Sequence, residues 1–387
     1  MKLEFYNCPP PQSIESVKLP DAEFLHYQPD FELMKKTAEG YDNYHNILII
    51  GHGGSVTSFY GIYNTLIEQT KNRAYFLNTT DPDYIFELKQ KLLPENTLVI
   101  AISKSGETVT QIEALMQFAD YPLLIITGKS SPLRAIGEKL GAKMVLHPSI
   151  GGRYAGLTEV GLLPAALCGL EVKTLFDGAQ NFYHLYQREN LAWKAASILY
   201  QLEQKGFVDV FLPFYSHKLF AMSNIIVQLC HESFGKNAKG QTYFAQEAPE
   251  SQHHTNQRFF GGIKNICGLF TTVENFNHQT ITNAPPNLHS IQIKGRHLAD
   301  INKIPLDKSM EFEVQGTMED ARIAGIPVLH LSVSAFQPHE IGQLLAFWQL
   351  YAVYSSVLRS LDPFDQPQVE SSKNISFNKR LGFKGLL

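Results

Sequence analysis

Residues Ile47-Leu48-Ile49-Ile50-Gly51-His52-Gly53-Gly54-Ser55 decide how this chain folds. Four consecutive apolar residues, most of them β-branched, end abruptly in a glycine-rich turn. So short a run, apolar at every position, reads as a strand buried on both faces. The pattern returns at Ala74–Leu77, Thr97–Ala101, Leu123–Thr127 and Met144–Leu146. Between these runs, Pro82–Leu92 and Thr108–Phe118 carry apolar residues three and four apart, as amphipathic helices do. Continuous apolar strands alternating with helices predict a doubly wound α/β domain with a parallel sheet covered on both faces.

A second, looser series follows. Phe207–Leu212, Asn265–Thr271, Ser290–Ile293 and Pro327–Leu331 read as strands, with a helix near Ser216–His231 and a long apolar helix at His339–Leu361. The expectation is two α/β domains, 1–180 and 181–361, with a boundary near Gly169–Lys194. A C-terminal segment, 362–387, follows as a frayed end or a functional flap.

Composition narrows the function classes. With 387 residues, 44% hydrophobic and 18% charged, the chain has the balance of a globular protein. A net charge of −4 advertises neither a nucleic-acid surface nor attraction to an anionic membrane, so any anionic ligand must be held by local charge. Cys8, Cys168, Cys230 and Cys267 are widely spaced, which argues against a disulfide framework or a zinc ribbon and fits a reducing cytoplasm. The N-terminus lacks a signal-like apolar core, and no uninterrupted apolar run reaches the roughly 20 residues of a spanning helix.

Six blocks carry side chains suited to chemistry. The first is Gly51–Ser55, where glycines permit close approach and Ser55 offers a hydroxyl; its glycine spacing is not a dinucleotide fingerprint. The second, Ser103-Lys104-Ser105-Gly106-Glu107-Thr108, sets three hydroxyls and an ammonium before a helix, which suits a phosphate monoester. An ordinary N-cap is the plain alternative. In Gly151-Gly152-Arg153 a guanidinium stands beside two glycines, suited to a developing oxyanion or merely to a solvated turn.

Gln228–Lys236 places Glu232 at the end of an apolar helix, where a half-buried carboxylate can serve as a general base. In Glu250–Gln257 the adjacent His253 and His254 point in different directions, so one at most faces a given site. Their spacing does not suit a metal, which leaves a general acid/base or a plain loop histidine. Finally, Phe364–Lys373 runs a proline-bounded turn into a helix-like segment that carries Lys373.

Taken in order, these blocks resemble the phosphoglucose isomerase family, and Gly151–Leu167, GGRYAGLTEVGLLPAAL, resembles that family's signature. The resemblance covers nearly the whole chain and implies two sugar-isomerase (SIS) domains of flavodoxin-like type. It implies that Ser55, Ser103, Lys104, Ser105 and Thr108 hold a substrate phosphate, with Gly54, Gly152 and Gln366 also at the substrate. Arg153 would stabilise an enediolate, Glu232 would carry the proton between C2 and C1, His253 would assist ring opening, and Lys373 would act at the ring oxygen. It implies no cofactor and no metal, and a homodimer in which His253 comes from the partner subunit. Glucose 6-phosphate and fructose 6-phosphate are the expected substrates. A dual phosphoglucose/phosphomannose isomerase is the nearest alternative, and a non-catalytic sugar-phosphate sensor a more distant one. A sensor has no use for Glu232, Arg153 and His253 together, and no helix-turn-helix or basic patch is evident.

Overall fold

The computed structural model describes residues 1–15 and 17–383, so the last four residues of the expected 362–387 segment lie outside it. In chain order the strands are β1 Lys2–Tyr6, β2 Asn46–Gly51, β3 Arg73–Leu77, β4 Thr97–Ser103, β5 Leu123–Thr127 and β6 Lys143–Leu146. They continue with β7 Asp209–Phe214, β8 Thr242–Glu247, β9 Ile266–Asn275, β10 Gln292–Ile293, β11 Arg296–His297 and β12 Val328–Ala335. The chain divides into two compact units, each discontinuous in sequence. One comprises 1–10, 201–220 and 242–336, the other 11–200, 221–241 and 337–387.

The larger unit is built on a five-stranded, wholly parallel sheet in the order β3-β2-β4-β5-β6. All five strands were legible because their residues are apolar without alternation. Ile47, Leu48, Ile49 and Ile50 are fully buried, as are Leu98–Ile102 and Leu124–Ile126. Renumbered within the unit, the order is 2-1-3-4-5, the flavodoxin-like arrangement with its reversal between β2 and β4. Ligands of such sheets sit beyond the strand carboxyl ends at that reversal. Gly51 lies opposite Ile102, so the loops after β2 and β4 leave the sheet side by side. Buried Gln111 joins them: its Nε2 donates to the Ile50 and Ile102 carbonyls, each at 2.9 Å.

The expected long helix is present as Pro338–Leu358. Its composition and length are those of a membrane span, yet most of its residues are buried within the unit. It packs closely along Val172–Tyr183, where a Cβ on Gly342 would lie 1.8 Å from the Leu175 carbonyl oxygen.

The smaller unit has the order β1-β12-β9-β7-β8, parallel except for β1, which pairs antiparallel with β12 at the edge. Phe211, Phe259, Phe270 and Tyr215 form the aromatic centre of its core. Two expectations change here. Ser290–Ile293 contributes only the two residues of β10, which pair with β11 in an exposed hairpin outside the main sheet. The helix expected near Ser216–His231 is two helices, His217–Phe220 and Ser223–Phe234, and it breaks between the units.

Candidate active site

The larger unit gathers most of the residues singled out in the sequence. The turn after β2 leads directly into the helix Gly54–Thr65, with Ser55 in its first turn. Gly54 has no room for a side chain: an added Cβ would lie 2.2 Å from the Arg153 nitrogen and the Gly152 carbonyl carbon. That contact seats Gly151-Gly152-Arg153 against the first turn. The segment beyond it is a 3-10 helix, Gly152–Leu157, rather than an open turn.

The turn after β4 is shaped by its own hydroxyls. The Gly106 N–H donates to Ser103 Oγ at 3.0 Å, and the Glu107 N–H donates to Ser105 Oγ at 3.3 Å. Gly106 has φ +66° and lies against Ser131 and Leu133, so both its backbone and its surroundings require glycine. The N-cap of the following helix, Val109–Met116, is Thr108, and its side chain makes no capping hydrogen bond. An ordinary serine cap therefore does not account for this block. The Lys104 ammonium donates to the Ser149 carbonyl, and its neighbour Ser105 is exposed.

Arg153 is 2% exposed and uses all five of its N–H donors. Nε donates to Ser233 Oγ at 2.9 Å, and Nη1 to Glu232 Oε2 at 3.1 Å and Gln366 Oε1 at 2.6 Å. Nη2 donates to the carbonyls of Pro363, 2.6 Å, and Asp365, 3.2 Å. Glu232, with its side chain 26% exposed, keeps access to solvent, and its other oxygen accepts from Gln228 Nε2 at 2.8 Å. Gln228 in turn accepts from Thr57 Oγ1 at 2.9 Å. A spacing of four along the helix Ser223–Phe234 puts Gln228 and Glu232 on one face.

The C-terminal segment is anchored here rather than frayed. The buried Lys236 ammonium donates to the carbonyls of Asp362 and Asp365 and to the Asp365 carboxylate. Two cations therefore grip 362–366 while Phe364 packs edge-on against Tyr154. Tyr154 is itself buried, bonded to Ser233 Oγ at 2.9 Å, and burial pushes its phenol pKa up. Beyond this, Pro367–Val369 and the helix Glu370–Gly382 carry Lys373, whose ammonium reaches Glu370 at 2.8 Å.

Several of these residues carry no readable signal in the sequence. Ser233 and Lys236 act through partners far along the chain, and Gln228 and Gln111 each join a near partner to a far one. His52, in the Gly51–Ser55 turn, has its Nε2 3.0 Å from Thr110 Oγ1. Burial, and then the charge of Lys373, hold its imidazole pKa below the ordinary histidine value. Glu159 of the Gly151–Leu167 stretch is buried and accepts from Tyr27 Oη and the Asp30 N–H, which fixes the N-terminal segment.

His253 belongs to the other unit. It ends the 3-10 turn Glu250–His253 after β8, and its side chain is exposed. Gln252 anchors that turn, its Nε2 donating to Tyr215 Oη and Thr317 Oγ1, each at 3.0 Å. His254 is exposed and bonded to Thr255 Oγ1 at 2.7 Å.

A family profile described as phosphoglucose isomerase matches residues 35–381, most of the chain. The chain belongs to the phosphoglucose isomerase family. Glucose-6-phosphate isomerase of Carboxydothermus hydrogenoformans is 28% identical over 91% of this chain and 83% of its own length. That of Thermus thermophilus is 29% identical over 87% and 83%. Among solved structures, a hypothetical protein from Thermus thermophilus superposes with a TM-score of 0.83 at 26% identity, over 91% of this chain and 87% of that one. A glucose-6-phosphate isomerase from Chlamydia trachomatis shares the fold, with a TM-score of 0.77 at 18% identity over 91% and 72%. Membership of the phosphoglucose isomerase family agrees with two doubly wound sheets and a helical C-terminal segment.

Proposed function

We propose that this chain interconverts glucose 6-phosphate and fructose 6-phosphate through a cis-enediol(ate), without a cofactor. The observation that carries the reading is Glu232, a solvent-accessible carboxylate hydrogen-bonded to a guanidinium with every donor in use, beside the Gly54–Gly152 contact. Aldose–ketose isomerisation requires one base on one face of the sugar. Glu232 takes the C2 proton of the open-chain aldose, the C2–H pair forms the C1–C2 double bond and the carbonyl pair moves onto the C1 oxygen. The C2 hydroxyl proton passes to that oxygen, and as C2=O forms the same carboxyl returns its proton to C1. Arg153 holds negative charge on the C1 and C2 oxygens as it develops. Its Nη2 edge is occupied by the Pro363 and Asp365 backbone carbonyls, so its Nη1 edge, now on Glu232 and Gln366, is the one that turns to substrate. A preorganised guanidinium stabilises the transition state more than the ground state.

Ser55, Ser103, Lys104, Ser105 and Thr108 bind the phosphate in this reading. Support comes from the neighbouring strand ends, the uncapping Thr108 hydroxyl and the N-terminus of the helix that follows. Binding energy from that remote group positions the reacting carbons. Gly54 and Gly152 let backbone approach the sugar, and Gln366 orients Arg153. Lys373 acts at the ring oxygen and His253 assists ring opening, the histidine coming from the partner subunit of a homodimer in the cytoplasm. The test is isomerase turnover by the purified protein with glucose 6-phosphate and mannose 6-phosphate in parallel. Turnover of the first alone is expected; of both, a dual enzyme; of neither, with binding retained, a sensor.

A further inference from the structure

The helix Glu370–Gly382 buries none of its residues, and Ile375, Phe377 and Leu381 stand exposed along it. A helix with no buried face is not held by hydrophobic packing. A two-pronged ion pair ties it to the helix Val109–Met116, which follows the candidate phosphate loop. Arg380 Nε donates to Glu113 Oε1 at 2.6 Å, and Nη2 to Oε2 at 2.9 Å. Such fork-to-carboxylate geometry fixes direction as well as distance. The Arg380 side chain is 32% exposed and that of Glu113 43%.

The spacing on both helices gives this pair a purpose. Lys373 and Arg380 are seven residues apart, two turns, and so lie on one face. Glu113 is three residues beyond Thr110, which also places those two on one face. Thr110 is bonded to His52, the group that feels the charge of Lys373. One end of the C-terminal helix therefore meets Glu113 while Lys373 stands near the Gly51–Ser55 turn.

We propose that Glu113 and Arg380 are positioning residues, a clamp that docks the C-terminal helix and thereby sets the Lys373 ammonium at the substrate. This rests on the isomerase reading above, since it is that reading which gives Lys373 work to do. The clamp touches no reacting atom. The Arg380 hydrogen bond holds the Glu113 carboxyl below the usual carboxylate range, so the pair is charged at neutral pH. Because no apolar burial backs it, removing either charge loosens the helix measurably without unfolding the protein.

The experiment compares Glu113→Gln, Arg380→Gln and the exchanged pair Glu113→Arg with Arg380→Glu, by kcat/KM and by amide hydrogen exchange over residues 370–382. Each single change is expected to lower kcat/KM and speed exchange by about threefold to fivefold, the upper range for an exposed pair. The exchanged pair restores both. In a Lys373→Ala background, Glu113→Gln is expected to lower kcat/KM no further, an outcome a purely structural role does not produce. Unchanged exchange, unchanged kcat/KM in the single variants, or fully additive losses with Lys373→Ala would each overturn the clamp. Failure of the isomerase reading looks different: the wild-type protein then lacks turnover while the exchange differences persist.

Discussion

Replacing Glu232 by Gln removes the proposed base and changes little else. The side chain keeps its shape and its place between Arg153 Nη1, at 3.1 Å, and Gln228 Nε2, at 2.8 Å. Its amide oxygen can still accept from Arg153. The amide nitrogen then faces Gln228, which must turn over to present its own oxygen, and the Thr57 hydroxyl that now donates to that oxygen accepts instead. The exchange makes the Gln228 bond neutral and takes the counter-charge from buried Arg153, which keeps its five acceptors, so a stability loss of about 1–3 kcal/mol is expected. A melting temperature within a few degrees of wild type is therefore expected. Catalysis loses far more, because a positioned general base contributes on the order of 100-fold to 10,000-fold. At about 1.4 kcal/mol per tenfold, the barrier rises by roughly 3–5 kcal/mol. The assay is steady-state turnover of fructose 6-phosphate, with solvent deuterium incorporation at C1 and C2 followed in the same samples. Turnover at least 100-fold down, with KM within a few-fold of wild type, is the expected result. Turnover within tenfold of wild type, with deuterium still entering the sugar, would refute Glu232 as the proton carrier.

Other perturbations probe separate parts of the site. Gly54→Ala is expected to abolish activity and destabilise the fold by more than about 3 kcal/mol, since its Cβ meets the Arg153 and Gly152 backbone; a normal melt would refute the close approach. Asp365→Ala leaves the buried Lys236 ammonium with carbonyls alone, and a stability loss of about 1–3 kcal/mol in urea is expected, less than for a fully orphaned ion. Burial lowers the pKa of His52, His147 and His231 in the folded protein. The unfolded chain then binds protons first, so stability should be complete above about pH 6.5 and fall as pH drops below it. Thermal melts between about pH 5 and pH 8 check the sign, and a rise in stability on acidification through that window would contradict it.

How far the sequence could be read follows from where each signal resides. The strands of the larger sheet were legible because Ile47–Ile50, Leu98–Ile102 and Leu123–Thr127 are buried on both faces and so apolar at every position. The edge strand β1 alternates and lies largely exposed, and β8 is half-buried, so neither carries that mark. Ser290–Ile293 misleads for the opposite reason: Ile291 and Ile293 are apolar yet stand on an exposed hairpin. Within the site, blocks with unusual local chemistry, Gly51–Ser55, Ser103–Thr108 and Gly151–Arg153, could be read from their residues alone. Their joining could not, because Arg153 meets Glu232 79 positions away and Gln366 213 positions away. Ser233 and Lys236 are legible only as members of the Gln228–Lys236 block that resembles the family's helix end. Their work, orienting Arg153 and gripping Asp362–Asp365, depends on contacts that no local pattern encodes.

The most direct measurement is a crystal structure of the protein with fructose 6-phosphate bound. The phosphate is expected on the Ser55 and Ser103–Thr108 hydroxyls, with C1 and C2 within about 3–3.5 Å of the Glu232 carboxylate and their oxygens on Arg153 Nη1. A sugar phosphate bound elsewhere, or bound there with its first two carbons away from Glu232 and Arg153, would contradict the account.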